Sequence, residues 1–171
     1  SDECYEISSS FLSPNSKVRG KFSRFVKNKI NLKNFYTLKK NITYLVKLNE
    51  HLNLNKDLFG KCNPKSSTGR LDIFCRTILD YCDEYEKIPF GYSGEIFLEI
   101  TSRAFDIMIK EGDSLNQMRI VRKKNNILSD KELLEYHLKD PIIFDSSNNL
   151  ITPTISNGLK ISVDLKNNNS I

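Results

Sequence analysis

The chain has 171 residues, 39% of them apolar and 27% charged, with a formal net charge of +5. That length suits one domain, or one domain with a fragment of another, and that apolar content excludes a disordered chain. No apolar run is long enough to span a bilayer and no charged-then-apolar leader opens the sequence, so neither a membrane helix nor secretion is expected.

The chain opens on Ser1 rather than Met, which reads as a trimmed N-terminus. Cys4 to Leu12 reads as a strand closed by Ser13-Pro14-Asn15. Phe22 to Leu32 fits either a short helix or a lysine-rich edge. Asn34 to Leu48 is β-rich, with Asn41 marking a turn. Leu52 to Leu58 is short and polar, and Gly60 to Gly69 has the composition of a loop. Leu71 to Leu79, apolar and β-branched, reads as a buried strand. Tyr81 to Lys87 is acidic and polar, and Pro89 to Gly94 is a turn. Glu95 to Thr101 and Ala104 to Ile109 read as strands, and Glu111-Gly112-Asp113 turns the chain into Asn116 to Arg122.

Ser129 and Glu132 form a capping box that opens a helix over about residues 130–138, with Leu133, Leu134 and Leu138 as its apolar stripe. Two apolar stretches follow Pro141, Ile142 to Phe144 and Leu159 to Leu165. Many short strands with near-regular turns predict an all-β sandwich or barrel.

Charge is uneven. Between Ile7 and Asn49 there is no Asp or Glu but there are ten basic residues, while the remainder has sixteen basic against twenty-one acidic residues. Such a block is either a solvated lysine-rich surface or a phosphate or nucleic-acid footprint. Cys4, Cys62, Cys75 and Cys82 show no C-x-x-C spacing, and His51 and His137 lie far from any matching ligand pair. No zinc site is expected, and the cysteines read as small buried side chains in a reducing, cytoplasmic setting.

Three segments could carry chemistry. Lys65-Ser66-Ser67-Thr68-Gly69-Arg70 offers hydroxyls and cations that can hold a phosphate, though an ordinary loop has the same composition. Gly91-Tyr92-Ser93-Gly94 feeds a strand in which alternation groups Ile96, Leu98 and Ile100 on one face and Glu95, Phe97 and Glu99 on the other. Glu99 beside Phe97 is either a carboxylate in a partly apolar wall, a setting suited to proton transfer, or a solvent-facing residue. Gly112 opens a strand carrying the lone amide Gln117, which is also what an edge strand would show.

In this order and spacing the three segments resemble the dCTP deaminases of the dCTP deaminase and dUTPase superfamily. The match runs from about Asn63 to Arg122 and is nearest a long, tandem form. The resemblance implies a mainly β fold, a distorted jelly roll or β-barrel, with one short helix near residues 130–138. It implies a β domain over 1–125, lacking its first strand, and a helix-containing connector with the start of a second half over 126–171. It implies a homotrimer with sites between subunits.

By the same resemblance Glu99 is the catalytic carboxylate, Arg70 and Ser66 assist it, and Lys65, Ser66, Ser67, Arg70 and Gln117 bind substrate. Lys65 stands where the short form has Arg, which keeps the charge and loses the bidentate fork. The chain is about six residues longer than the short form between Arg70 and Gly94. The family's turn aspartate falls near Pro89, and Asp80 or Asp83 would take its place. The implied reaction converts dCTP to dUTP and ammonia without zinc, with Mg²⁺ arriving on the triphosphate and no metal held by the protein. The alternatives are a dUTPase or bifunctional enzyme, a half-site that only completes an interface, and a non-catalytic nucleic-acid module. The last would use the basic block with Phe22, Phe25, Phe35 and Tyr36.

Overall fold

In the computed structural model the described residues are 1–122, 128–145 and 147–162. They fall into two units, Ser1–Lys123 and Lys124–Ile171. The elements in chain order are β1 (Glu3–Ile7), α1 (Phe22–Phe25), β2 (Val26–Asn31), β3 (Tyr36–Leu38), β4 (Thr43–Asn53), β5 (Leu58–Pro64), α2 (Ser66–Arg70), β6 (Ile73–Leu79), β7 (Lys87–Ile88), β8 (Ser93–Ser102), β9 (Ile107–Ile109), β10 (Asn116–Arg122) and α3 (Asp130–Lys139). The fold is mainly β, as expected. Its strands form a five-stranded sheet in the order β2-β1-β4-β8-β6, a three-stranded sheet β10-β5-β7 and the pair β3-β9, and these described strands close no barrel.

Period-two alternation builds two cores, one on each face of the large sheet. Leu98 and Ile100 of β8 join Cys4, Leu38, Tyr44, Val46, Ile73 and Cys75 on one face. Phe97 joins Tyr5, Ile7, Phe11, Leu45 and Ile78 on the other. A third cluster, with Cys62, Ile88, Tyr92 and Ile96, carries the small sheet. Burial pushes the Cys4 and Cys75 thiols up to about 12, so both are inert apolar fillers rather than nucleophiles.

The ambiguous segment after Phe22 resolves into both options. Phe22 and Phe25 turn once as α1 and pack on Phe11, and Phe22 also meets Phe97. The chain then becomes β2, an edge strand whose Lys27, Asn28 and Lys29 stay exposed, a placement that discourages pairing with another chain. Phe22 and Phe25 are therefore core residues and not a base-stacking platform. Four of the ten basic residues in the block are met by acidic residues from outside its window: Arg19 by Glu3 and Glu95, Lys27 by Glu6, Lys39 by Asp106 and Lys47 by Glu95.

β4 runs on to Asn53, paired with Ser93 of β8, and residues 54–57 connect it to β5. One expectation fails locally. The segment from Gly60 to Gly69 is no loop, because β10 and β7 pair with β5 on either side and α2 follows at once. Long-range pairing supplied the backbone partners that local composition did not announce.

In the second unit the capping box is present, with Ser129 and Glu132 each accepting from the other's backbone N–H. The expected leucine stripe is not the buried face. Leu134 and Leu138 are exposed and His137 is buried. Its Nδ1 accepts from Ile142 N–H at 3.2 Å, so Nε2 carries the proton and donates to Ile151 O at 3.2 Å. A ring that satisfies two backbone groups displaced the apolar face. Short bridges join Phe144 to Leu150 and Ile155 to Leu159, and the end of the expected stretch to Leu165 lies outside the described residues.

Candidate active site

Glu99 sits on β8 between Leu45 of β4 and Arg76 of β6. It shares a face with Phe97, as alternation predicts, and is half-buried. Its Oε1 accepts from the Tyr85 hydroxyl at 3.2 Å, and its Oε2 has a longer 3.4 Å contact from Phe11 N–H. The Tyr85 oxygen lies 2.6 Å from Ser10 Oγ. The Arg76 guanidinium sits 4.8 Å over the Tyr85 ring. Burial, with Glu99 alongside, holds the Tyr85 phenol above its ordinary value, against the pull of the Ser10 hydrogen bond. It therefore stays a donor through the neutral range.

The first motif forms α2. Thr68 is buried and donates through Oγ1 to Leu115 O at 3.0 Å, and Lys65 N–H donates to the same carbonyl at 3.0 Å. These two bonds seat the motif on the third segment. Lys65, Ser66, Ser67 and Arg70 point outward, and among the described residues their side chains have no hydrogen bond or ion pair.

In the second motif the two glycines have separate reasons. Gly91 has φ +65°, a left-handed turn conformation, and Gly94 lies under the Tyr92 ring. The Tyr92 hydroxyl donates to Glu95 O at 2.6 Å, and burial pushes the phenol up to about 12. Asp80 is drawn to this end of the sheet. Its Oδ1 accepts from Val18 N–H at 2.8 Å. Four residues beyond Arg76, it is about 13 Å along the strand direction from the level of Glu99.

In the third segment Asn116 donates to Thr77 Oγ1 at 2.8 Å and to Glu86 Oε2 at 3.3 Å, and Thr77 donates to Glu86 through both N–H and Oγ1. Gln117 is exposed beside it. It lines a cavity of about 380 Å³ with Ile96, Leu98 and Ile100, the face of β8 opposite Glu99. A second groove, of about 360 Å³, runs from Pro64 and Gly69 to Arg76 and Tyr85. This single copy thus ties the first and third motifs together through Leu115 and brings the first motif's flank to Glu99's partners. Gln117 opens on the other face of the sheet, and Asp80 lies at its far end.

The sequence reading missed Tyr85, Arg76, Ser10 and Thr68. Tyr85 lies within a segment that reads only as polar, and its bond to Ser10 spans 75 residues. Thr68 stood inside the motif, but nothing local separates the buried hydroxyl from its two exposed neighbours.

Residues 1–124 match the model of the 2'-deoxycytidine 5'-triphosphate deaminase N-terminal domain. The chain belongs to the dCTP deaminase family. Among solved structures it is similar to 2'-deoxycytidine 5'-triphosphate deaminase from Agrobacterium tumefaciens, with 38% identity and a TM-score of 0.69. That match covers 82% of this chain and 42% of the Agrobacterium chain, so this chain spans less than half of that relative's length. No curated protein matches. In this member of the dCTP deaminase family the three motifs form α2, the turn into β8 with Glu99, and β10. No helix among the described residues is long and apolar enough to cross a membrane.

Proposed function

We propose that this domain serves the deamination of dCTP to dUTP and ammonia, with Glu99 as the proton-transfer group. The observation that carries the reading is a division of labour. Glu99 is held by protein donors on one side, whereas Lys65, Ser66, Ser67 and Arg70 are exposed and unengaged. A fixed carboxylate suits general acid–base work, and free hydroxyls and cations suit a triphosphate.

Glu99 takes a proton from water as its oxygen bonds to C4 of cytosine. The carboxyl passes that proton to the ring nitrogen, then takes the proton of the new C4 hydroxyl and hands it to the amine; the C4–N bond breaks, the C4 carbonyl forms and ammonia departs. Arg70 and Ser66 assist at the water and phosphate side. Lys65, Ser67 and Gln117 complete the substrate contacts, and Asp80 joins through Oδ2, its other oxygen being taken. Mg²⁺ arrives as part of the substrate.

The opposite-face placement of Gln117 and Glu99 supports a working site made from more than one copy or half, and we read the assembly as a homotrimer. The nucleotide substrate suits a cytoplasmic location.

The test is incubation of this domain, and of the complete protein, with dCTP and Mg²⁺, resolving dUTP, dUMP and ammonia. Ammonia with dUTP is the expected result. dUMP as end product would make the enzyme bifunctional. Turnover only by the complete protein would show that this domain supplies part of a site. No product from either would overturn the reading.

A further inference from the structure

Resting on that reading of Glu99, we propose that Tyr85 is its positioning residue: the Tyr85 hydroxyl holds Oε1, so that Oε2 is the oxygen presented to the attacking water.

The geometry is asymmetric. Oε1 has a side-chain donor at 3.2 Å, while Oε2 has only the 3.4 Å contact from a backbone N–H. A carboxylate carries lone pairs on both oxygens, and one well-made bond at Oε1 fixes the plane of the group. Oε2 keeps the capacity to take and return a proton.

Tyr85 is itself held from two directions. Ser10 Oγ lies 2.6 Å from its oxygen, and Arg76 lies 4.8 Å over its ring. A tyrosine that donates to Glu99 accepts from Ser10, so the Ser10 proton sets the direction of the relay from Ser10 to Tyr85 to Glu99. The relay joins three separate parts of the chain: the segment after β1, the connection between β6 and β7, and β8. The pull on Oε1 is therefore built by the tertiary fold and does not need substrate. Arg76 faces Glu99 across the strand pair, yet no ion pair joins them, and the guanidinium clamps the tyrosine instead.

A positioning role predicts a specific kinetic pattern. In the complete protein, Tyr85→Phe should lower kcat for ammonia release about 10-fold or more while KM for dCTP stays within about 2-fold, because the hydroxyl orients the base and does not hold the nucleotide. Ser10→Ala should lower kcat by a smaller factor, and the double variant should be no slower than Tyr85→Phe, since both act through one relay. Ser10 is exposed, so that variant reads the relay even where the phenylalanine fails to fold.

Wild-type kcat in both single variants overturns the proposal, as does fully multiplicative loss in the double variant. Glu99→Gln run alongside separates the two levels. If it is inactive while Tyr85→Phe is unimpaired, the positioning role alone falls. If Glu99→Gln turns over like the wild type, the reading of Glu99 falls and the positioning role with it.

Discussion

Arg76 and Glu99 stand directly opposite each other on β6 and β8, but the guanidinium is stacked over Tyr85 and makes no ion pair with the carboxylate. A permanent ion pair would tie up the proton-accepting oxygens. Neutral and backbone donors leave the carboxylate held but able to take a proton. Glu99→Gln keeps the shape and removes that capacity. Ammonia release should fall by at least about 10²-fold, with dCTP affinity nearly intact in equilibrium binding. Wild-type-like turnover would remove Glu99 from the chemistry.

The free side chains on α2 give a second expectation. Arg70→Ala should raise the dissociation constant for dCTP about 10-fold, the loss of one charge-assisted contact, and Ser66→Ala should raise it by less. The measurement is titration of the complete protein with dCTP and, as a control, with deoxycytidine. Loss of affinity confined to the triphosphate places α2 on the phosphate side. Equal affinity for dCTP in both variants and the wild type would take the motif out of the site.

Arg19 Nε donates to Glu95 Oε2 at 2.7 Å, and its other arm reaches Glu3 at 2.9 Å. The Arg19 hydrogen bond, with the nearby Lys47, holds the Glu95 carboxyl below its ordinary value of 4.5. A depressed carboxyl contributes stability above its unfolded value and loses it as pH falls through the folded one. Arg19→Ala should therefore cost about 1 kcal/mol at neutral pH, the scale of a partly exposed ion pair, and its deficit should shrink on acidification below about pH 4. Urea unfolding at a series of pH values checks both. A deficit independent of pH would mean that Arg19 acts only by packing on Phe22 and Phe97.

Gly94 leaves room for no side chain. A Cβ there would lie 2.7 Å from the Tyr92 hydroxyl, which donates to Glu95 O. Gly94→Ala should destabilise the domain by about 1–3 kcal/mol through displacement of that ring. A Tm equal to the wild type would show that Tyr92 swings aside freely.

Most of this molecule's strands could be read from the chain itself. Leu71 to Leu79 and Glu95 to Thr101 announce β6 and β8 by β-branched and alternating residues, and Ser129 with Glu132 announces α3, because those signals are local. Alternation along β8 also determined that Glu99 would share a face with Phe97. The order of the three motifs pointed to the family.

The tertiary structure decided the rest, for the physical reason that it turns on partners far away in sequence. β5 exists because β10 and β7 pair with it. Phe22 and Phe25 are core because Phe11 and Phe97 meet them from other segments. His137 is buried because two loop backbone groups need its ring. The packing of the small sheet placed Gln117 of β10 at a cavity against the face of β8 opposite Glu99. The Ser10, Tyr85 and Glu99 contacts span up to 88 residues, and no window of local pattern contains them.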